Sequence, residues 1–157
     1  MYIFLLLFAL LIISAISIKD IKIISYIHIA GMLSLLVIVF QTLIVINKIE
    51  VIFLGNEFFL IDSLSAIQMV IISVVSFISI LYSHTYIQDE LSGGAIKPQK
   101  AKMYYMLIDL FVFSMYFVAV SNNIAAMWIG LEGTTLSIAF LIAFRRDNLS
   151  LEAAWKY

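Results

Sequence analysis

The sequence predicts an all-α integral membrane protein: five transmembrane helices and the start of a sixth, N-terminus outside, with a small surface hairpin between helices two and three. Three observations predict it. The 157 residues are 64% hydrophobic and only 12% charged, whereas soluble domains are nearer half apolar. The charges cluster, and the uncharged runs between them approach the ~20 residues that cross a ~30 Å hydrocarbon core. The basic residues fall in alternate loops, as the positive-inside rule requires.

The first helix is expected over about 2–18. Met1 to Ile18 is uncharged, with no basic leader and no small-x-small cleavage site before Lys19, so it reads as a retained helix and not a signal peptide. A short loop with Lys19, Asp20 and Lys22 leads to helix two, about 23–47. Between Lys48 and Asp62, the Gly55-Asn56 step separates β-branched and aromatic runs and predicts the hairpin. Helix three covers about 63–86, with Asp62 as the carboxylate at its N-terminal dipole. A polar loop, about 88–102, holds Gly93-Gly94 and the only proline, Pro98. Helix four covers about 103–120, Ser121-Asn122-Asn123 makes a turn, and helix five covers about 124–144. After Arg145, Arg146, Asp147 and Asn148, Ser150 is placed to cap helix six, about 150–157, with Glu152 in its first turn. Residues 1–157 thus form one bundle. With the N-terminus outside, Lys19, Lys22, Lys97, Lys100, Lys102, Arg145 and Arg146 lie inside, and only Lys48 lies in an outer loop. Tyr82, Tyr86, Tyr104 and Tyr105 fall where aromatic belts anchor helices to the interface.

Several function classes are excluded. There are no cysteines, so the chain carries neither disulfides nor an iron–sulfur cluster. The two histidines form no metal motif, no Gly-rich phosphate loop occurs, and a net charge of −1 without a basic patch does not suit nucleic acid. Any redox centre is therefore on another chain.

Three ionisable groups lie within apolar helices: Glu132, Lys156 and Asp109. Glu132 is the one charged residue in 124–144. A carboxyl at the bilayer centre costs roughly 2.5–3.5 kcal/mol on insertion scales and marks proton relays, ion sites or buried pairs. Ala126, Gly130 and Thr134 recur every fourth residue, joined by Gly133 and Ser137. This small surface allows close helix approach, and its hydroxyls can bond a carboxyl. Glu132 is accordingly expected to face the bundle interior, either as a titrating group or as a neutral helix–helix contact. Lys156 is four residues after Glu152, the spacing of a surface ion pair; the competing reading is a buried lysine that titrates near neutrality. Asp109, about 10 Å along its helix from Lys102 by helical rise, is expected to pair with another span or face a hydrated cavity. His28 and His84, near the inner ends of helices two and three, can titrate near neutral pH, against the reading of interfacial or packed histidines.

Five pieces in order carry a family resemblance: Phe58 to Ala66; Leu81 to Tyr86; Phe113-Ser114-Met115; Trp128-Ile129-Gly130-Leu131-Glu132-Gly133-Thr134-Thr135-Leu136; and Leu151 to Tyr157. They resemble the antiporter-like membrane subunits of respiratory complex I, of membrane-bound hydrogenases of the formate-hydrogenlyase type, and of multisubunit cation/proton antiporters. The resemblance implies an N-terminal portion of a fold of about fourteen helices, without its second inverted repeat. It implies that Glu132 matches the fifth-helix glutamate that modulates proton-carrying lysines, and Lys156 the sixth-helix lysine beside that path; Asp109 has no family-wide counterpart. It further implies iron–sulfur clusters, flavin or a nickel–iron site on partner subunits, none here. The implied partners are other membrane subunits, a chain completing the fold, and protons or sodium ions, in a multi-pass protein of the plasma or inner membrane. The alternative is a structural or assembly module in which Glu132 holds helices together. An unrelated small transporter is disfavoured, because no span is interrupted by proline.

Overall fold

A computed structural model describes residues 2–49, 51–55, 58–145 and 148–157. The elements run α1 (Tyr2–Ser17), α2 (Ile21–Ile49), β1 (Ile52–Leu54), β2 (Phe59–Ile61), α3 (Ser63–Ser92), α4 (Pro98–Val120), α5 (Ile124–Ile142), a short 3₁₀ turn (Ala143–Arg145) and α6 (Asn148–Lys156). Four helices, α2 to α5, are long and apolar enough to cross a membrane. α1 is apolar but has 16 residues, about 24 Å of rise, so the described structure supports four spans by length where five were expected.

The polar residues set the helix ends differently from the expectation. α3 continues to Ser92, through Gln88, Asp89 and Glu90, because those residues are compatible with helix outside the hydrocarbon. It stops at Gly93-Gly94, where Gly94 takes φ +69° and the Ala95 and Ile96 amides donate to the Glu90 carbonyl. α4 then starts at Pro98, whose fixed φ suits the first helical position. The loop expected over 88–102 is thus only 93–97. Asp62 caps α3 as expected, accepting the Ser65 amide at 2.8 Å. Ser150 does not cap α6, which already begins at Asn148; Arg146 and Asp147 lie outside the described residues. Asn123 caps α5 by accepting the Ala125 and Ala126 amides.

The hairpin forms in register Ile52 to Ile61, Phe53 to Leu60 and Leu54 to Phe59. Gly55 supplies its turn with φ +62°; Asn56 of the expected step lies outside the described residues. β2 also bridges Ser121, and the Asn122 amide donates to the Phe58 carbonyl, so the hairpin rests on the α4–α5 turn. At the opposite end, Lys102 Nζ donates to the Ile16 carbonyl of α1 at 3.4 Å.

α1 to α4 make a bundle in which α2 packs chiefly on α3, α1 lies against α2 and α4, and α3 against α4; α5 joins from outside along α4. Ile24, Met32, Leu35, Val39, Ile80, Ile87, Tyr105 and Val112 form its centre. The outward faces carry exposed Leu6, Ile13, Ile44, Ile71, Ile78, Leu136 and Phe140. Apolar surface inside and out is the pattern of helices solvated by lipid, and the chain is a multi-pass membrane protein.

Candidate functional site

The central polar cluster is made by α2, α3 and α4. His28 and Asp109 are both fully buried, with His28 Nε2 2.9 Å from Asp109 Oδ2. His28 Nδ1 donates to the Ile24 carbonyl one turn earlier at 2.8 Å. A carbonyl only accepts, so the proton on Nδ1 is fixed and Nε2 is the atom that shares a proton with the carboxyl. The Tyr105 ring lies on the His28 ring, centroids 4.9 Å apart. Three residues before His28, on the same face of α2, Ser25 places Oγ 2.6 Å from His84 Nδ1 of α3. His84 also lies against Tyr26, centroids 5.0 Å apart, and lines an open cleft of about 600 Å³ with Lys22, Gln88 and Asp89.

Asp109 thus pairs with another span, as one reading of the sequence held. His28 is packed between helices, while His84 is half-buried, bonded to Ser25 and open to the cleft. Tyr105 is wholly buried and Tyr104 gives its hydroxyl to a bond with Ser83 at 2.8 Å; these two face the bundle, correcting their expected placement in an aromatic belt. Tyr82, 75% exposed, fits the belt. Ser25 and Tyr105 were not sequence candidates. A signal existed: Ser25 and His28, and Tyr105 and Asp109, are i, i+3 and i, i+4 pairs, each on one helix face.

Glu132 is placed on the exposed face of α5, which corrects the expectation that it faces the interior. The packed face is the small-residue stripe: Ala126, Gly130 and Ser137 are buried against α4. A Cβ on Gly130 would stand 2.6 Å from Val118 Cγ2, and one on Gly133 2.7 Å from Ser114 Oγ. Two residues along a helix is a turn of about 200°, so Glu132 points away from the Gly130 contact. The neighbouring hydroxyls do not reach it either. Thr134 donates to Leu131, Thr135 to the Glu132 backbone carbonyl, and Ser137 to Gly133. Lys156 is exposed and paired with Glu152 one turn earlier, at 71% and 59% side-chain exposure. The described residues therefore bring His28, Asp109, Ser25, His84 and Tyr105 together, and leave Glu132 and Lys156 on the surface.

Comparison with known proteins finds partial relatives. It is 33% identical over 102 residues to a hydrogenase-4 component F homolog of Methylacidiphilum infernorum, covering 65% of this chain and 21% of that protein. It is 34% identical over 98 residues to NADH-quinone oxidoreductase subunit N of Alkalilimnicola ehrlichii, 61% of this chain and 18% of the relative. Subunit L of the same enzyme from Neisseria meningitidis is 33% identical over 86 residues, 55% and 12% respectively. No protein-family profile matches the chain, and no solved structure does. The chain spans about a fifth of the length of the first two relatives. By these matches it is a partial relative of the antiporter-like membrane subunits of complex I and hydrogenase-4-type complexes.

Proposed function

We propose that the chain is part of a membrane subunit of a redox-driven complex that translocates protons or sodium ions, in the plasma or inner membrane with the N-terminus outside. The similarity to hydrogenase-4 and NADH-quinone oxidoreductase subunits carries this reading. Redox chemistry belongs to partner subunits, and this chain contributes charged groups that respond to it. Glu132 and Lys156 act in an ion-transfer relay. Glu132 lies on a lipid-depth helix with no described residue bonding its carboxyl, and such a group requires a partner or a hydrated cavity. Further polypeptide packing on that face of α5, from the longer fold or from a neighbouring subunit, supplies it. The exposure of Lys156 is read in the same way: its pairing with Glu152 is exchangeable, because surface ion pairs contribute only about 0–1 kcal/mol.

The test is proton pumping by the parent complex in vesicles, wild type against Glu132→Gln, at equal assembly and equal redox turnover. Glutamine keeps the size and hydrogen bonding of the side chain and removes its titration. Pumping is expected to fall sharply while redox turnover persists. Unchanged pumping would leave Glu132 as a helix–helix contact and the chain as an assembly module.

A further inference from the structure

The His28–Asp109 pair has no part in a Glu132–Lys156 relay, and its surroundings give it a property of its own. With Nδ1 committed to the Ile24 carbonyl, one proton must lie between Nε2 and Oδ2, on the ring or on the carboxyl. Without it, two lone pairs would oppose each other at 2.9 Å. The second carboxyl oxygen, Oδ1, is buried and has no hydrogen-bond partner among the described residues. The buried Tyr105 hydroxyl, one turn nearer the lysine-rich end, lies beside Ser25 without closing a hydrogen bond of full geometry to it. Buried polar atoms left unpaired are where internal water binds. From Ser25 the hydrogen bond to His84 leads to the cleft at that end. Polar groups on three helices thus lie between the cleft and Asp109, in a bundle whose other central residues are mostly apolar.

We propose that the His28–Asp109 pair is a reversible proton-binding site inside the bundle, exchanging with water at the lysine-rich end through Tyr105, Ser25 and His84. In the loaded step a hydronium at the cleft gives up one proton and becomes water. The pair passes from one shared proton, net neutral, to an imidazolium beside a carboxylic acid, the carboxyl proton residing on Oδ1. Release is the reverse. The titratable groups on the lysine-rich ends of these helices are Lys22 and Tyr26 on α2, Tyr86, Asp89 and Glu90 on α3, and Lys100, Lys102 and Tyr104 on α4. The described side chains of α1, from Leu6 to Ser17, include none. Lys22 and Asp89 stand at the cleft and set the local field there. The biological use of such a site rests on the ion-translocation reading; the site itself rests on the geometry.

The chain has two histidines, so nitrogen-15 labelling of histidine resolves both rings by magnetic resonance in the purified, membrane-reconstituted chain. His28 is expected to keep its Nδ1 proton throughout, while its Nε2 signal changes with pH as the pair gains and loses a proton. Asp109→Asn should abolish or displace that response. Ser25→Ala leaves the pair intact and should slow proton exchange at His28 on the order of 100-fold, the scale of a lost positioned proton donor. An Nε2 signal that does not change with pH would overturn the site and make the pair a fixed structural bond. Exchange unaltered in both Ser25→Ala and His84→Ala would overturn the route. Both results are independent of pumping by the parent complex, so they separate this proposal from the proposed function.

Discussion

Asp62 accepts the Ser65 amide at 2.8 Å, and that backbone N–H holds its carboxyl below the ordinary 3.8. A group whose folded pKa is depressed stabilises the fold above the unfolded value; the contribution disappears as pH falls below about 3.8 through the folded value. Asp62→Ala is expected to cost about 1 kcal/mol at neutral pH, the usual worth of an N-cap, while Asp62→Asn keeps the cap and loses the acid sensitivity. Thermal unfolding of the detergent-solubilised chain at neutral pH and at successively lower pH checks both. The cap was legible, because Asp before an apolar run names its own role. The His28–Asp109 pair was legible only in halves. Each residue could be marked as ionisable within a span, but 81 positions separate them, and no local pattern says which helices touch. Removing one partner by Asp109→Ala or His28→Ala should cost about 1–3 kcal/mol, the penalty of an orphaned buried polar group. Joint replacement by leucines should recover much of it, and a double-mutant cycle measured by unfolding reads the difference.

Among the elements, the α4–α5 seam depends on the absence of side chains. Gly130 lets Val118 and Phe117 close against α5, and Gly133 does the same for Ser114. Gly130→Leu is expected to separate the two helices and destabilise the chain by about 1–3 kcal/mol through overpacking; a lowered unfolding midpoint is the measurement. The stripe was visible as a fourfold spacing of small residues, and the structure uses it for packing. Its relation to Glu132 was misread because the stripe was taken to surround the carboxyl, whereas the helical period sets them on opposite sides. The helix ends were misplaced for a related reason: hydropathy reports where the hydrocarbon ends, and α3 keeps its backbone hydrogen bonds through Gln88 to Ser92 regardless.

For the molecule as a whole, charge and architecture agree on which ends belong together. The α1–α2 turn, the α3–α4 loop and the end of α5 lie at one end by connectivity, and the two connections with the first turns of α2 and α4 hold Lys19, Lys22, Lys97, Lys100 and Lys102; the hairpin marks the other. The native chain lacks cysteine, so a single introduced thiol is diagnostic. Phe53→Cys is expected to react with an impermeant thiol reagent on intact cells, and Lys97→Cys only after permeabilisation; the opposite pattern would reverse the N-out orientation. The all-α class was legible because lipid forces each span to satisfy its own backbone. The contacts between spans were not, since lipid and core demand the same residues. The interlock of Gly130 and Gly133 with α4 also acts as a keyway. α5 cannot rotate about its own axis without driving Val118 and Ser114 into its backbone, so the bearing of Glu132 is set by the seam and not by whatever approaches it. Any group that pairs with the carboxyl meets it where it stands, on the side of α5 turned away from the histidines.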